Sequence, residues 1–135
     1  MDFTYQRRSA QGFDKTIEAV EREIRDRGFV LDAAYDLRAT LFAKGFAINP
    51  LQVYEVSLGS WPAATRPEES FASQCRVHVF TEGEAVYVRA IRPTMLSRIV
   101  DDSRVAERAA LAEQLVLELI DAVAGDAATA RSSST

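Results

Sequence analysis

The sequence has very little cysteine and histidine, with one residue of each in 135. A single cysteine excludes a disulfide within the chain and fits a reducing compartment. One cysteine and one histidine also cannot supply the ligands of a structural zinc site within one chain. The first residues contain no apolar segment of the kind found in signal peptides. These features together predict a cytoplasmic protein.

The sequence also lacks an excess of basic residues and any long apolar run. Sixteen lysine and arginine residues stand against 20 aspartate and glutamate residues, which gives a net charge of −4. A protein that binds nucleic acid without regard to its sequence needs a dominant cationic surface, so the charge argues against this class. No apolar run approaches the roughly 20 residues that span a bilayer, and we expect no membrane partner.

The motifs of common enzyme classes are missing as well. The chain contains no G-x-S-x-G, no P-loop and no G-x-G-x-x-G. Two pairs of adjacent carboxylates are present, Asp101–Asp102 and Glu68–Glu69. Adjacent residues on a helix do not face each other, which favours a solvated surface over a catalytic pair. We therefore favour a binding protein over an enzyme.

Hydrophobic periodicity predicts strands that alternate with helices. The predicted strands are 2–8, 29–36, 50–59, 74–81 and 84–91; the predicted helices are 12–28, 37–45, 92–100 and 103–125, with a short helix or loop over 60–73. The order is β-α-β-α-β-(α)-β-β-α-α. It indicates an α/β fold with helices packed on a single sheet, which the closing hairpin makes mixed. We expect one domain, 1–124, and a disordered tail, 125–135, with few side chains to bury.

Residues at the ends of the predicted helices have the chemistry of caps. Asp36 is the expected N-cap of the second helix, and Ser103 is the expected N-cap of the last one. Gly28, Gly45 and Gly125 follow the helices at positions where glycine commonly ends a helix.

The segment QCRVHVFTEGEAVYVRAI, residues 74–91, reads as a β-hairpin with its turn at Glu82–Gly83. Alternation puts small apolar residues on one face: Cys75, Val77, Val79, Val86, Val88 and Ala90. This face should point toward the helices, with Cys75 as a buried small hydrophobe. The other face mixes basic, aromatic and apolar residues: Arg76, His78, Phe80, Tyr87, Arg89 and Ile91. It is too charged for a core and too apolar for plain surface, which favours a subunit interface or a ligand site.

Three segments resemble the DUF302 family, a family of small domains of unknown function. They are GFDKTIEAVEREIRDRGF (12–29), YEVSLGSWPAA (54–64) and QCRVHVFTEGEAVYVRAIRPTML (74–96), and the similarity spans about residues 3–123. The resemblance implies a compact α/β domain that forms a homodimer. It also implies haem as a ligand, because some members are described as binding haem at the dimer interface. This chain departs from the family pattern at its first cysteine, where Ser57 or Ser60 stands, and at Ser73–Gln74 before Cys75.

With haem as the implied ligand, the mixed face of the hairpin offers suitable groups. His78 is the expected iron ligand, and Met95 is a second possible ligand, since imidazole and thioether groups both ligate haem iron. The remaining candidates divide by chemistry: Arg76 or Arg89 would hold the propionates, and Phe80 and Tyr87 would line the porphyrin.

Two other hypotheses stay open. The first is thiol or sulfur-handling chemistry through Cys75, which requires an accessible thiol with a lowered pKa. The second is a non-catalytic dimeric interaction module, in which the mixed hairpin face is only a subunit contact.

Overall fold

A computed structural model describes residues 3–58, 74–98 and 101–125, with the backbone alone for residues 96–98. The short helix or loop predicted for 60–73 lies outside these ranges. So does the predicted tail, apart from Gly125 at its start. The domain boundary expected at residue 124 therefore stays a prediction.

Strands and helices alternate along the described chain, as predicted. The strands are β1 (Thr4–Arg8), β2 (Phe29–Asp36), β3 (Leu51–Leu58), β4 (Gln74–Glu82) and β5 (Ala85–Ile91). The α-helices are α1 (Phe13–Asp26), α2 (Leu37–Ala43) and α3 (Ser103–Ala124), and the predicted helix at 92–100 is a 3-10 helix at Pro93–Arg98. Among the described helices, none is both long enough and apolar enough to cross a membrane.

The described strands form one sheet in the order β1-β5-β4-β3-β2, and every pair of neighbours is antiparallel. The predicted mixed sheet is therefore wrong. β1 and β2 run in the same direction on either side of α1, but they lie at opposite edges and never pair. α2 joins β2 to β3, which are antiparallel neighbours. Helical connections thus occur here without any parallel pairing.

An irregularity in β2 accommodates Asp32, a residue type that is unfavourable inside a strand. Leu31 pairs with Val56 of β3, and Ala33 pairs with the next residue, Glu55. Asp32 is the extra residue of a β-bulge, so it has no partner across the pair and its side chain is exposed.

The core lies between one face of the sheet and the helices α1 and α3. Fully buried side chains come from both helices and from the sheet: Val20 from α1, Val116, Leu119 and Ile120 from α3, and Tyr54, Val56, Val77, Val79 and Val88 from the sheet. Complete burial of an apolar side chain of this size contributes about 1.5–3 kcal/mol. Within the described residues, α1 and α3 pack on this one face of the sheet.

The helix ends confirm one predicted cap and correct another. Asp36 is the N-cap of α2, and its carboxylate accepts a hydrogen bond from a backbone N–H in the first turn. The N-cap of α3 is Asp102 rather than Ser103, since Asp102 accepts from the backbone N–H of Arg104 at 2.8 Å. A carboxylate also interacts favourably with the positive end of the helix dipole, which a hydroxyl does not. Asp102 therefore caps α3. Gly28 and Gly125 follow α1 and α3 as predicted.

Candidate functional site

β4 and β5 are joined by a two-residue turn, Gly83–Glu84, one residue later than predicted, because Glu82 pairs with Ala85. Gly83 has φ 60°, a left-handed conformation that tight hairpin turns require and that side chains rarely adopt. The later turn moves the cross-strand pairing by two residues. A shift of two leaves every side chain on the face expected from the sequence.

The face of β4 and β5 that packs on the helices is the small apolar one, as predicted. Cys75 lies in it and is only 5% exposed. Burial raises the pKa of the Cys75 thiol to about 12, so the thiol is protonated at neutral pH. Reactive cysteines have lowered pKa values and solvent access. The surroundings of Cys75 therefore oppose thiol chemistry and favour packing.

We call the opposite face of the sheet, which α1 and α3 do not cover, the open face. Its side chains form rows that run across the strands. One row contains a residue from every strand: Gln6, Arg89, His78, Val53 and Tyr35. Because β4 is the middle strand of the sheet, His78 lies at the centre of this row.

The imidazole of His78 is half-buried and is neutral at pH 7. Its pKa is lowered from the ordinary value of 6.5, first by desolvation and then by the positive charges of Arg89 and Arg76. A neutral imidazole keeps one ring nitrogen with a free lone pair, which is the form that ligates metals. His78 is thus held in the protonation state that iron ligation needs.

The two arginines beside His78 have different surroundings. Arg76 forms an ion pair with Glu55 of β3, with 2.8 Å between Nη2 and Oε2. The guanidinium of Arg89 lies over the Phe80 ring, with Cζ 4.4 Å from the ring centroid. Its Nε donates to the amide oxygen of Gln6 at 2.9 Å. Arg76 has an acidic neighbour, whereas Arg89 is held by an aromatic ring and a neutral amide.

Aromatic and aliphatic side chains fill much of the rest of the open face. Phe80 and Tyr87 stack with their ring centroids 5.6 Å apart and their planes 25° from parallel. Ile91 is 54% exposed, and Val30 and Tyr35 are each 46% exposed. Exposed apolar area that lies around charged groups is typical of interaction or ligand surfaces.

Met95 does not lie with the other candidate residues. It belongs to the 3-10 helix, which packs against α3. The backbone N–H of Thr94 donates to Glu113 of α3 at 3.2 Å, and this contact anchors the segment on the helix side of the sheet. Within one chain the sheet therefore separates the Met95 segment from the face that carries His78.

Several residues of the open face were missed by reasoning from the hairpin alone. They come from other strands: Gln6, Arg8, Tyr35, Val53 and Glu55. For β1 a signal was available, because alternation in TYQRR puts Gln6 and Arg8 on one face and Tyr5 and Arg7 on the other. No local pattern indicates that Glu55 would lie opposite Arg76.

Comparison with known proteins places the chain in a family. The sequence model of the DUF302 family, a domain of unknown function, matches residues 5–123. The crystal structure of an uncharacterised conserved DUF302 protein from Bacillus stearothermophilus is similar, with a TM-score of 0.75 and 22% identity over 91% of this chain and 99% of that one. At this identity the likeness is one of fold. No curated protein matches the chain. The sequence match and the shared fold together establish that this chain belongs to the DUF302 family.

Proposed function

We propose that the protein binds haem on the open face, with His78 as the iron ligand, and that two copies of the chain complete the site. The observation that carries the proposal is the position of His78. It is a neutral, half-buried imidazole at the centre of the face, flanked by Arg89 and by the Phe80–Tyr87 stack. Haem as the specific ligand comes from the family resemblance.

The residues around His78 fit the parts of the ligand. A planar macrocycle needs flat apolar walls, and the stacked rings of Phe80 and Tyr87 supply one beside the imidazole. Its acidic side chains need cations, and Arg89 lies in the same row as His78. Bound haem would supply a redox-active iron; the chain would ligate the iron, position the ring and limit access of water.

A second copy is part of the proposal because a single open face covers only one side of a planar ligand. Exposed apolar side chains continue on both sides of His78, with Ile91 toward β1 and Tyr35 on β2. Two open faces related by a two-fold axis would enclose the ligand and cover these residues. Met95 remains a candidate second ligand only if it comes from the other copy.

The test is a hemin titration followed by visible absorption, with His78→Ala and His78→Gln alongside the wild type. We expect a sharp Soret band in the wild-type protein, its loss in both variants, and its recovery when free imidazole is added to His78→Ala. Circular dichroism confirms that each variant is folded. Sedimentation with and without hemin measures the number of copies.

Each outcome decides one part of the proposal. A Soret band that is unchanged in both variants would transfer ligation to another residue, such as Met95. A protein that remains monomeric with hemin bound would exclude the second copy. A dimer that takes up no hemin would leave the open face as a subunit contact, which is the interaction-module hypothesis.

A further inference from the structure

We propose that the open face selects ligands with two carboxylate groups, and that Arg89 and Arg8 bind these groups while Arg76 does not. The inference rests on the proposed function, because it concerns the same site, and it divides the basic residues of that site by role. The sequence left Arg76 and Arg89 as equal candidates and did not include Arg8.

The environment of Arg76 argues against a role in binding an acidic ligand. Its guanidinium is paired with Glu55 at 2.8 Å. An incoming carboxylate would have to displace Glu55, or accept its repulsion at close range. The side chain is also 66% exposed, so water already screens the remaining field. The Arg76–Glu55 pair therefore attracts an incoming anion less strongly than an unpaired guanidinium would.

Arg89 has the opposite arrangement. Its two contacts, to the Phe80 ring and to Gln6, fix the plane of the guanidinium without neutralising its charge. Gln6 accepts a hydrogen bond from Nε of Arg89. No carboxylate in the described ranges pairs with the terminal nitrogens of this guanidinium. A planar guanidinium that is already oriented suits bidentate binding of a carboxylate. Arg89 is thus preorganised for an acidic group beside His78.

Arg8 supplies a second cation close to the first. It pairs with Tyr87 across β1 and β5, two residues along from the pair that Gln6 makes with Arg89. The Cα atoms of diagonal neighbours of this kind lie about 7–8 Å apart. This separation leaves room for each of the two guanidinium groups to bind its own carboxylate. Arg8 is exposed and, within the described part of the chain, forms no ion pair. The edge of the open face along β1 and β5 therefore carries two unneutralised cations.

The positive charge of Arg8 and Arg89 is opposite in sign to the net charge of the protein. The chain has a net charge of −4, so a dianionic ligand is repelled by most of the surface. The described carboxylate at the turn end of the same face, Glu82, pairs with neither Arg8 nor Arg89. Acidic ligands are consequently favoured at one edge of the open face, which orients a planar diacid with its apolar part over Phe80 and Tyr87.

The experiment uses metal-free protoporphyrin and its dimethyl ester as probes, with binding followed by fluorescence. Neither probe needs an iron ligand, so the result does not depend on His78. The variants are Arg89→Gln and Arg8→Gln, with Arg76→Gln as the matched control on the same face. We expect the diacid to bind roughly 10-fold or more tightly than the ester, since a hydrogen bond to a charged group contributes a factor of this size. Arg89→Gln and Arg8→Gln should remove most of this preference, and Arg76→Gln should change it less than about twofold.

The outcomes separate this inference from the proposal of haem binding. Equal affinity for diacid and ester, or a larger loss in Arg76→Gln than in Arg89→Gln, would overturn the inference even if hemin binds through His78. Selective binding of the diacid without a specific hemin spectrum would support the inference and overturn iron ligation. Binding of neither porphyrin would overturn the inference, and the hemin titration alone would then decide haem binding through His78. Thermal unfolding of each variant shows that a lost preference is not a lost fold.

Discussion

The two faces of the β4–β5 hairpin are built from alternate residues of the same strands, yet they differ completely in character. On the helix side, Val77, Val79 and Val88 are fully buried. On the open face, His78 and Arg89 lie among aromatic rings and keep contact with solvent. The helix-side face thus stabilises the fold, and residues on the open face can be chosen for chemistry at small cost in stability.

The energies on the two faces differ accordingly. Each buried valine on the helix side contributes about 1.5–3 kcal/mol. The Arg76–Glu55 pair on the open face is largely exposed, and such pairs contribute about 0–1 kcal/mol. Adjacent residues in the sequence therefore have very different expected effects, and substitutions at neighbouring positions test the comparison directly.

The largest effect is expected for Val77→Asp. This change buries a carboxylate among apolar side chains with no partner, and we expect a loss of about 4–5 kcal/mol or more in the free energy of unfolding. Arg76→Gln, one residue away on the open face, should change it by less than about 1 kcal/mol. Urea unfolding followed by circular dichroism measures both. If Val77→Asp unfolds cooperatively near the wild-type midpoint, the side chain at position 77 is not closed off from water on the helix side of the sheet.

A second, smaller contrast concerns thiol reactivity on the two faces. The rise in the pKa of Cys75 from 9.0 to about 12 lowers the thiolate fraction at neutral pH roughly a thousand-fold, and burial blocks the reagent as well. We expect native Cys75 to react with a thiol reagent only very slowly, and rapidly once urea is added.

The matched control for thiol reactivity moves the cysteine to the other face. Gln74 is exposed and adjacent in sequence, so Gln74→Cys combined with Cys75→Ala should react like a free thiol. Fast labelling of native Cys75 would contradict the buried position and revive sulfur-handling chemistry.

The smallest expected effect is the pH dependence that arises from His78. Its pKa in the folded protein is below the unfolded value, so the unfolded state binds more protons as the pH falls through 6.5. Stability should therefore decrease on acidification below that pH, and His78→Gln should remove this part of the decrease. NMR gives the titration midpoint without ambiguity, because the chain has one histidine. A midpoint at or above 6.5 would mean that burial and the charges of Arg89 and Arg76 do not lower the pKa of the imidazole as described.

The character of the two hairpin faces could be predicted from the sequence because strand alternation is a local property. The assignment of side chains to faces is the same for any two registers that differ by an even number of residues. The error of one residue in the predicted turn therefore left the predicted faces correct. The faces of β3 could not be predicted in the same way. Val53 and Val56 are both buried, on opposite faces, so the strand shows no simple alternation.

The rest depends on which strands become neighbours, and no local pattern carries that information. The mixed sheet was predicted because helices commonly join parallel neighbours, whereas here α1 connects the two edges. The same limit applies to the site. Only the pairing of β3 with β4 reveals that Glu55 neutralises Arg76, and only the pairing of β1 with β5 brings Gln6 to Arg89.

The pairing of β1 with β5 also has a consequence for how the chain folds. The first of the described strands pairs with the last of them, since Thr4 lies opposite Ile91, and Arg7 of β1 bonds to Asp121 of α3. Contacts between such distant parts of a chain slow folding, because a long loop must close before they form. β1 therefore cannot complete its pairing until β5 has been made. A chain interrupted before β5 would have neither a finished sheet nor the row of side chains that crosses it.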